Sequence, residues 1–545
     1  MTDDRRRRKF WGWGFEDQQP SHDQVVEAGR AMRAYLGFEP AEVEAPPQLA
    51  DLDLPAPRLE PPASLAELCA TDVHARASHS YGGSYRDVVR GFAGRFENPP
   101  DVVSRPESEA DVAALLDWCA DAGAAAIPFG GGTSVVGGVE PNVGSGFSGT
   151  VSIDLGRLDR VVEVDAVSGA ALIQAGAAGP ALEDQLRQHG LTLRFYPQSF
   201  ERSTLGGWIA TRAAGHFASL ETHIDDLVES VRAITPVGEW QSRRLPGSGA
   251  GPSPDRLLLG SEGTLGVITE AWVRVRPRPR WRYSVGVGFP TFAKGLAAVR
   301  AQLQAGLWPS NCRLLDPEEA RVTGAATDGR ALLTLGFESA DHPLDARLDR
   351  ALEACADHGG EVSGEISRSG PGDDGTSTGG AGVWRSAFLQ APYLRDTLVA
   401  AGVLSETFET AITWDRIEAF VEDVRERTTA VVREVCGAGF VTARLTHAYP
   451  DGAAPYFTVL APARRGGELS QWDEIKAAAA EAILAAGGTI THHHAVGRDH
   501  RPWYERQRPA PFAAALRAAK DTVDPAGVLN PGVLMAPAER PAGVA

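Results

Sequence analysis

The chain has 545 residues, of which 53 are Lys or Arg and 71 are Asp or Glu, so its formal net charge at pH 7 is -18. This length predicts roughly two to four domains, and a composition of 43% hydrophobic and 23% charged residues is typical of a globular protein. The acidic balance excludes nucleic acid as an expected partner, because phosphate backbones select basic surfaces.

The first residues are basic and then aromatic. Residues 5–9 carry the positive charge, and Phe10, Trp11 and Trp13 follow. This start predicts either a peripheral contact with anionic lipid or a tail whose tryptophans pack on the body of the protein. No signal-peptide core follows, and no apolar run reaches the length of a membrane span. Five cysteines without C-x-x-C spacing favour a reducing compartment, so we expect a cytoplasmic protein.

Hydrophobic spacing predicts a helix at residues 21–36, and a proline-rich run at residues 46–62 predicts an extended connector. An α+β unit begins near residue 99 and ends at the Arg-Pro-Arg-Pro run 276–279. Its predicted elements are helices at 108–123 and 180–189 and strands at 102–103, 124–129, 151–155, 160–164, 171–175, 227–234 and 266–275.

A second pattern of alternating strands and helices starts near residue 281. It predicts an antiparallel sheet with helices on one face, although a parallel sheet is the commoner outcome of such alternation. A run rich in Ser and Gly at residues 367–380 predicts a mobile surface loop. The predicted strands are 283–289, 330–337, 441–448 and 456–461, and the predicted helices are 291–305, 344–358, 417–435 and 472–486.

The predicted fold class is α+β, with a cofactor domain and a second domain that carries the antiparallel sheet. The predicted segments are an N-terminal helical segment at 1–98, the cofactor domain at 99–279, a substrate or cap domain at 280–470 and a C-terminal segment at 471–545 that closes the cofactor site.

Three glycine-rich turns, at residues 126–138, 197–215 and 260–270, lie in the first unit. Glycine lets backbone N–H groups approach a ligand closely, and successive N–H groups with Thr or Ser hydroxyls form a concave anion site. No Lys follows the first glycines and no G-x-G-x-x-G occurs there, so neither a P-loop nor a Rossmann fingerprint is present. One such turn alone is more often only a turn. Three of them predict a bulky phosphate-bearing cofactor that lies across all three.

At these turns the sequence resembles the FAD-binding domain of the vanillyl-alcohol-oxidase type of flavoproteins. Within that superfamily it resembles the alkyldihydroxyacetonephosphate synthase family over nearly the whole chain. The resembling segments are residues 10–15, 313–316, 406–410, 414–416, 444–447, the histidine run 491–497 and 524–525. The resemblance implies FAD, and because no histidine stands in the first glycine turn we expect it to be non-covalent. The implied cofactor residues are Pro128, Phe129, Gly130, Gly131, Gly132, Thr133, Ser134, Gln198, Ser199, Ser203, Thr204, Leu205, Thr211, Arg212, Ala213, Ala214, Glu262, Gly263, Thr264, Leu265, Gly266, Val267 and Ile268.

The resemblance also implies an active site. Tyr456 falls on the catalytic tyrosine of the family, Arg444 on the arginine that binds the substrate phosphate, and Arg313 on another arginine near the flavin. A guanidinium suits a phosphate group, and a tyrosine needs nearby cations to act as a base near neutral pH. Without the resemblance, a salt-bridging arginine and a packing tyrosine are the preferred interpretations.

His492, His493 and His494 fall on the histidine run of the family's active site. On an extended segment side chains alternate, so His492 and His494 share one face and His493 lies on the other. Three such neighbours cannot all ligate one ion without distortion, so we expect no metal, even with His500 nearby. Proton handling beside the flavin is the preferred role.

The family activity is a transfer rather than a net oxidation. The resemblance implies that the acyl group of acyl-dihydroxyacetone phosphate is exchanged for a fatty alcohol through a flavin N5 adduct, in ether lipid synthesis. The expected partners are lipid-like small molecules, and we expect a homodimer.

Two positions depart from the family pattern, since Phe195 stands where the family has a histidine and Gln198 where it usually has an acid. One alternative is an FAD-linked oxidase or dehydrogenase of a 2-hydroxy acid, which residues 524–532 resemble. A further alternative is a flavin-binding protein without catalysis.

Overall fold

The computed structural model describes residues 6–372 and 379–537, and for residues 379–389 it describes only the backbone. The first sheet has four strands, three of them parallel. Beside it packs the helix Glu109–Ala122, which begins after Ser108, whose hydroxyl accepts the Asp111 N–H, and ends at Gly123 with φ 63°. The strands, in order across the sheet, are Cys69–Ala70, Val102–Ser104, Thr150–Asp154 and Ala125–Phe129.

The second sheet has five antiparallel strands. Its inner side chains, such as Ile173 and Val231, share one buried cluster with Leu205 and Trp208 of a neighbouring helix. The strands in order are Val161–Asp165, Ala170–Gln174, Val267–Arg274, Val228–Thr235 and Gly238–Gln241. The short pair Leu191–Thr192 and Arg276–Pro277 and the helices Gly179–Arg187, Leu205–Thr211 and Asp255–Leu258 complete this part.

The largest sheet has eight strands and is antiparallel throughout. Helices pack on it through apolar residues such as Leu296 and Val424, which belong to the same core as the strand residues Leu333 and Phe457. The strands in order are Glu361–Ser369, Trp281–Phe289, Ala331–Ser339, Asn311–Leu315, Phe440–Ala448, Gly452–Pro462 and Val403–Glu409, with Ile412–Thr413 also paired to Gly452–Pro462. The helices are Phe292–Gln304, Pro317–Val322, Asp345–Ala356, Gly379–Ala400, Ile417–Cys436 and Glu468–Ala485.

Further helices occur near the two ends of the chain. They are His22–Leu36, Val73–Ser78, Tyr85–Phe92, Arg501–Gln507 and Ala510–Val523. Among the described residues, no helix combines the length and the apolar character that crossing a bilayer requires.

The α+β fold class and the antiparallel second sheet are confirmed, while the segment boundaries stay a prediction. Trp11 and Trp13 are 8% and 5% exposed, so the tryptophans pack on the body as one alternative expected. The loop prediction at 367–380 is wrong at its start, where the strand Glu361–Ser369 continues, and its residues 373–378 lie outside the described part. The sequence analysis missed the strands Asn311–Leu315 and Val403–Glu409 and the helices Gly379–Ala400, Arg501–Gln507 and Ala510–Val523.

Candidate active site

The three glycine-rich turns converge on one cleft. Hydrogen bonds join them: the Glu262 N–H donates to the Ala210 carbonyl at 2.8 Å, and the Asn530 amide donates to the carbonyls of Gly138 and Glu262 at 3.0 and 2.7 Å. Of the predicted cofactor residues, those that line the cleft are Pro128, Phe129, Gly130, Ser134, Thr204, Thr211, Glu262, Gly263, Gly266 and Ile268. Lining residues that the sequence analysis missed are Gly138, Val139, Leu155, Gly206, Gly207 and Ala210.

The cleft fits a phosphate-bearing cofactor. A Cβ atom at Gly131 would lie 2.0 Å from the Arg202 carbonyl oxygen, and one at Gly263 would lie 2.9 Å from Pro128. These glycines therefore let backbone segments approach more closely than any side chain allows. Small and hydroxyl-bearing residues dominate the lining, so N–H and O–H donors reach the cleft without bulky groups between them.

The other predicted cofactor residues belong to the same turns but do not line the cleft. The Ser203 hydroxyl donates to the Ser199 carbonyl at 2.9 Å and accepts the Trp208 indole N–H at 2.7 Å. Arg212 forms an ion pair with Asp225 at 2.8 Å. Contact with the cofactor stays a prediction for all the residues named for it. Those that do not line the cleft are Gly131, Gly132, Thr133, Gln198, Ser199, Ser203, Leu205, Arg212, Ala213, Ala214, Thr264, Leu265 and Val267.

The predicted active-site residues form a row across neighbouring strands of the largest sheet. Arg444 pairs directly with Tyr456, and Tyr456 pairs with Glu409. Residues paired in this way face the same side of an antiparallel sheet. Arg313 lies two positions from Leu315, which pairs with Arg444, so Arg313 faces that side as well. The sheet register thus brings both predicted arginines beside the predicted catalytic tyrosine.

Arg444 and Tyr456 are in contact, with the guanidinium carbon 3.8 Å from the ring centroid. Arg444 also pairs with the buried carboxylate of Glu319, and its Nε is buried without a hydrogen-bond partner among the described residues. Burial, followed by the charge of Arg444, lowers the pKa of Arg313 to about 9. The two guanidiniums of Arg313 and Arg444 lie on the same side of the sheet, and positive charge of this kind favours an anionic ligand such as a phosphate.

The histidine turn, residues 491–497, curls around the buried carboxylate of Glu409. The backbone N–H groups of His492, His493 and His494 donate to it at 2.6, 3.1 and 2.9 Å. The extended geometry expected from the sequence is therefore wrong, because one carboxylate gathers three successive N–H groups. Burial opposes ionisation, but the neighbouring imidazoles outweigh it and hold the pKa of Glu409 well below its usual value.

Two more histidines, His223 and His447, join this turn. The Nε2 atoms of His223 and His492 lie 3.1 Å apart, the Nδ1 atoms of His492 and His493 lie 3.0 Å apart, and the ring of His447 stacks on His492 with centroids at 5.0 Å. Burial lowers the pKa of His447, His492 and His493 below the usual value, so these rings are neutral near pH 7.

One ring nitrogen from each of His447, His492 and His493 lies within 4.8 Å of the others, a spacing that suits a metal ion. The curled turn thus brings ring nitrogens of His492 and His493 close enough to His447 to hold one ion, whereas an extended segment was not expected to allow a metal site here. In this arrangement Nε2 of His447 donates to the Gly215 carbonyl at 3.1 Å. The expectation that the protein uses no metal stays a prediction.

Glu262 connects the histidine turn to the cleft. Its carboxylate accepts the N–H groups of Val496 and Gly497 at 2.9 and 2.8 Å, and the Arg498 N–H donates to the Val136 carbonyl of the first glycine-rich turn at 2.9 Å. The cleft and the row of Arg444, Tyr456 and Glu409 are therefore parts of one site.

This position of Glu262 gives a pH-dependent stability. Burial raises the pKa of Glu262 to about 7, against about 4.3 in an unfolded chain. Between these values the folded protein holds a proton that the unfolded chain has lost, so the free energy of unfolding falls as pH rises, by about 4 kcal/mol for this group. We expect the apparent Tm of Glu262→Gln to fall less than that of wild type between about pH 5 and about pH 8. An equal fall of the apparent Tm in the two proteins would contradict this expectation. Glu239→Gln, at an exposed position, is the control.

Sequence reasoning assigned no role to Glu409, Glu319, His223 and Tyr449. The Tyr449 hydroxyl lies 2.6 Å from Nε2 of His492. Glu409 stands in a segment that resembles the family, which was the available signal. His223 and Tyr449 are single residues in loops, and only the folded chain brings them to the site.

The two departures from the family pattern lie outside the cleft lining. Phe195 is 1% exposed and packs against Trp208 with ring centroids 5.1 Å apart, so its side chain belongs to the core. Gln198 is half-buried. Phe195 provides no imidazole in place of the family histidine, but His223 and His447 each contribute one to the site.

Comparison with known proteins agrees with this site. Residues 100–242 match the model of the FAD binding domain family, and residues 278–534 match that of the C-terminal domain of FAD linked oxidases. The chain is 31% identical to the alkyldihydroxyacetonephosphate synthase of Dictyostelium discoideum and 30% identical to that of Trypanosoma brucei brucei, in each case over 85% of this chain and 78% of the relative. A solved structure of an alkyldihydroxyacetonephosphate synthase superposes with a TM-score of 0.79 at 26% identity, over 96% of this chain and 98% of the other.

Proposed function

The chain belongs to the alkyldihydroxyacetonephosphate synthase family, and we propose that it exchanges the fatty acid of acyl-dihydroxyacetone phosphate for a fatty alcohol. It is an FAD-dependent enzyme. In this reaction the bond between C1 and the acyl oxygen breaks, and the carboxylate leaves with the bonding electrons. The alcohol oxygen forms the new bond to C1 and its proton is released, so the product is an ether and nothing is oxidised or reduced overall.

The single observation that carries the proposal is the row of Arg444 and Tyr456 next to Arg313 and the histidine turn. A phosphate needs positive charge in a fixed geometry, and Arg444 is fixed by Glu319 and by the face of Tyr456. The contact of Tyr456 with Arg444 supports an acid–base role for Tyr456 toward a substrate whose phosphate Arg444 binds.

FAD supplies, when bound, the covalent chemistry at C1. The side chains do the rest: Arg313 and Arg444 bind the phosphate, and the phenolic oxygen of Tyr456, in its deprotonated form, takes the proton at C1 or from the attacking alcohol. The imidazoles of the histidine turn are neutral near pH 7, so they can accept and return protons beside the leaving carboxylate.

Arg444→Lys tests the phosphate anchor. Lysine keeps the charge but loses the planar fork and the stacking on Tyr456, so we expect KM for acyl-dihydroxyacetone phosphate to rise about tenfold or more. The measurement is steady-state kinetics with that substrate and with its analogue that lacks the phosphate. Wild type should prefer the phosphorylated compound strongly and the variant weakly. Arg427→Lys, on the exposed face of the helix Ile417–Cys436, is the control, and an unchanged preference in Arg444→Lys would refute the assignment.

The weaker alternative is an FAD-linked oxidation of a 2-hydroxy acid. The segment that suggested it, residues 524–532, contributes Asn530 to the cleft and pairs Asp524 with Lys520. It therefore serves the cofactor site that both activities need and does not favour either. Incubation with acyl-dihydroxyacetone phosphate and a labelled fatty alcohol separates them: label in an ether product supports the proposal. Bleaching of the flavin by a hydroxy acid, without any ether product, supports the alternative.

The homodimer, the cytoplasmic location and the peripheral membrane contact stay part of the proposal. Because Trp11 and Trp13 are buried, a lipid contact by this segment would use the exposed charge of Arg7 instead. Light scattering tests the homodimer, and vesicle sedimentation tests the membrane contact. Non-covalent FAD is also proposed, and acid precipitation that leaves the flavin in solution would support it.

A further inference from the structure

An N-terminal hairpin, residues 8–15, lies against the first glycine-rich turn, although it is outside both segments that match family models. The Lys9 N–H donates to the Gly14 carbonyl at 3.3 Å, and Gly12 and Gly14 have φ values of 71° and 92°. Left-handed glycines of this kind close tight turns. The segment is therefore a folded hairpin and not an irregular tail on the protein surface.

Asp396 of the helix Gly379–Ala400 holds the hairpin. Its buried carboxylate accepts the Trp13 N–H at 3.0 Å and the Lys9 ammonium at 3.0 Å. A Cβ atom at Gly12 would lie 2.6 Å from the same carboxylate, so the turn closes directly on it. The hairpin is thereby fixed to the helix that follows the strand Glu361–Ser369.

Two arginines extend from this region to the first glycine-rich turn. Arg8 of the hairpin donates to the Gly130 carbonyl at 2.9 Å, and Arg202 donates to the Gly131 carbonyl at 3.2 Å. The hairpin also contacts the second arginine, because the guanidinium of Arg202 lies 5.1 Å from the ring of Trp13.

These two hydrogen bonds determine where the turn presents its donors. In a trans peptide the C=O and N–H groups point in opposite directions. Holding the carbonyls of Gly130 and Gly131 on the arginine side therefore directs the N–H groups of Gly131 and Gly132 to the other side. Neither N–H donates to another of the described residues. Successive N–H groups left open in this way form an anion site.

The arginines also need a counter-charge. Nη1 of Arg8 and Nε of Arg202 are buried and have no hydrogen-bond partner in the described part of the chain. Burial, followed by the charge of Arg8, lowers the pKa of Arg202 to about 9. Asp154 and Asp396 act on Arg8 and Arg202 through their charges but form no ion pair with them among the described residues. Buried cations without a direct ion pair are costly, and a bound pyrophosphate offsets that cost across the turn.

We propose that the N-terminal hairpin is a clamp for the cofactor, in which Arg8 and Arg202 hold the first glycine-rich turn with its N–H groups toward the pyrophosphate of FAD. Both arginines are positioning residues, and Asp396 fixes the hairpin that carries Arg8. The clamp acts on retention of FAD and is independent of which substrate the enzyme uses.

The test measures FAD affinity of the flavin-free full-length protein by quenching of flavin fluorescence. We expect Arg8→Gln and Arg202→Gln to raise the Kd for FAD about tenfold or more, and to leave the Kd for riboflavin, which has no pyrophosphate, within about twofold. Arg7→Gln is the matched control, because Arg7 is on the same segment and its side chain is 51% exposed. It should not change either Kd.

Equal FAD affinity in Arg8→Gln and Arg7→Gln would overturn the proposal. An equal loss for FAD and riboflavin would also overturn it, since that result indicates general damage to the site. If Arg8→Gln does not fold, Arg8→Lys decides, because it keeps the charge and loses the planar fork of guanidinium donors: its Kd for FAD should rise about threefold or more. An ether-forming activity that persists at saturating FAD in these variants separates the clamp from the proposed reaction.

Discussion

Tyr456→Phe is expected to lower kcat about 100- to 10,000-fold while FAD stays bound. The substitution removes only the hydroxyl, which has no hydrogen bond to another of the described residues. The phenyl ring keeps its contact with the guanidinium of Arg444, which lies 3.8 Å from the ring centroid. The phosphate anchor therefore remains, and KM for the phosphorylated substrate should change by about threefold or less. Single-turnover kinetics with labelled fatty alcohol give the rate of the chemical step.

Tyr35→Phe is the control for this experiment. Tyr35 is 47% exposed and its hydroxyl donates to the Arg321 carbonyl, so the change removes a surface hydroxyl far from the acid–base chemistry. It should keep the kcat of wild type. If Tyr456→Phe also keeps kcat within about threefold, another group moves the proton and the role of Tyr456 is wrong.

The glycine-rich turns are where sequence reasoning was strongest. A turn that needs close backbone approach has to contain glycine locally, so the signal is written in consecutive residues such as 130–132. The three distant turns line one cleft, as expected, and their contact with one shared ligand stays a prediction. The prediction that the turns converge needed no knowledge of the path of the chain. It needed only the physical requirement that a protein binds a large phosphate-bearing molecule through several hydrogen-bond donors.

The strands that carry Arg444 and Tyr456 were predicted, but those that carry Arg313 and Glu409 were not, for a physical reason. Arg313 and Glu409 are charged but buried, at 4% and 1% exposure. Alternation of apolar and polar residues indicates a strand with one buried and one solvated face. The strands Asn311–Leu315 and Val403–Glu409 have buried residues on both faces. Their apolar and polar residues therefore do not alternate, and the hydrophobic pattern predicted neither strand. A buried charge that breaks a strand pattern is itself a signal for a site.

The histidine turn shows a different limit. Its three histidines were identified, but their geometry depends on a carboxylate some eighty positions away, since Glu409 accepts the N–H groups of His492, His493 and His494. Local sequence cannot reveal a partner at that separation. The same holds for His223, whose ring nitrogen lies 3.1 Å from His492. Residues such as Glu409 and His223, which contact the histidine turn from distant positions in the sequence, are therefore identified only from the folded structure.

Glu409→Gln is expected to lower kcat about 100-fold or more, because a misplacement of the histidine turn by about 1 Å is enough for such a loss. Glutamine has nearly the same shape but one acceptor oxygen, and its NH₂ group would face the N–H groups of the turn. It also has to replace the acceptor for the Thr491 hydroxyl, which now donates to Glu409 at 2.5 Å. Buried donors left without an acceptor cost about 1–3 kcal/mol each, so the turn should open.

A purely structural role would also lower stability, so the readout has to distinguish the two. Glu406→Gln is the matched control: Glu406 is on the same strand, is equally buried, and accepts hydrogen bonds from Lys476 at 3.1 Å and from the Trp472 indole at 2.5 Å. We expect both variants to lower the apparent Tm, and only Glu409→Gln to lower the kcat of the folded enzyme. Similar kcat values in the two variants would show that Glu409 matters for stability alone.

The pH dependence gives an independent measure of the same contact. Because the pKa of Glu409 in the folded protein lies well below its usual value, the folded protein binds fewer protons than the unfolded chain in the ordinary carboxyl range. Stability from this group is therefore present above about pH 4.3 and is lost as pH falls. Glu409→Gln has no such carboxylate, so its Tm should fall less than that of wild type on acidification from about pH 6 to about pH 4. If both proteins lose the same Tm, the carboxylate does not hold the histidine turn through its charge, and the positioning role assigned to it fails.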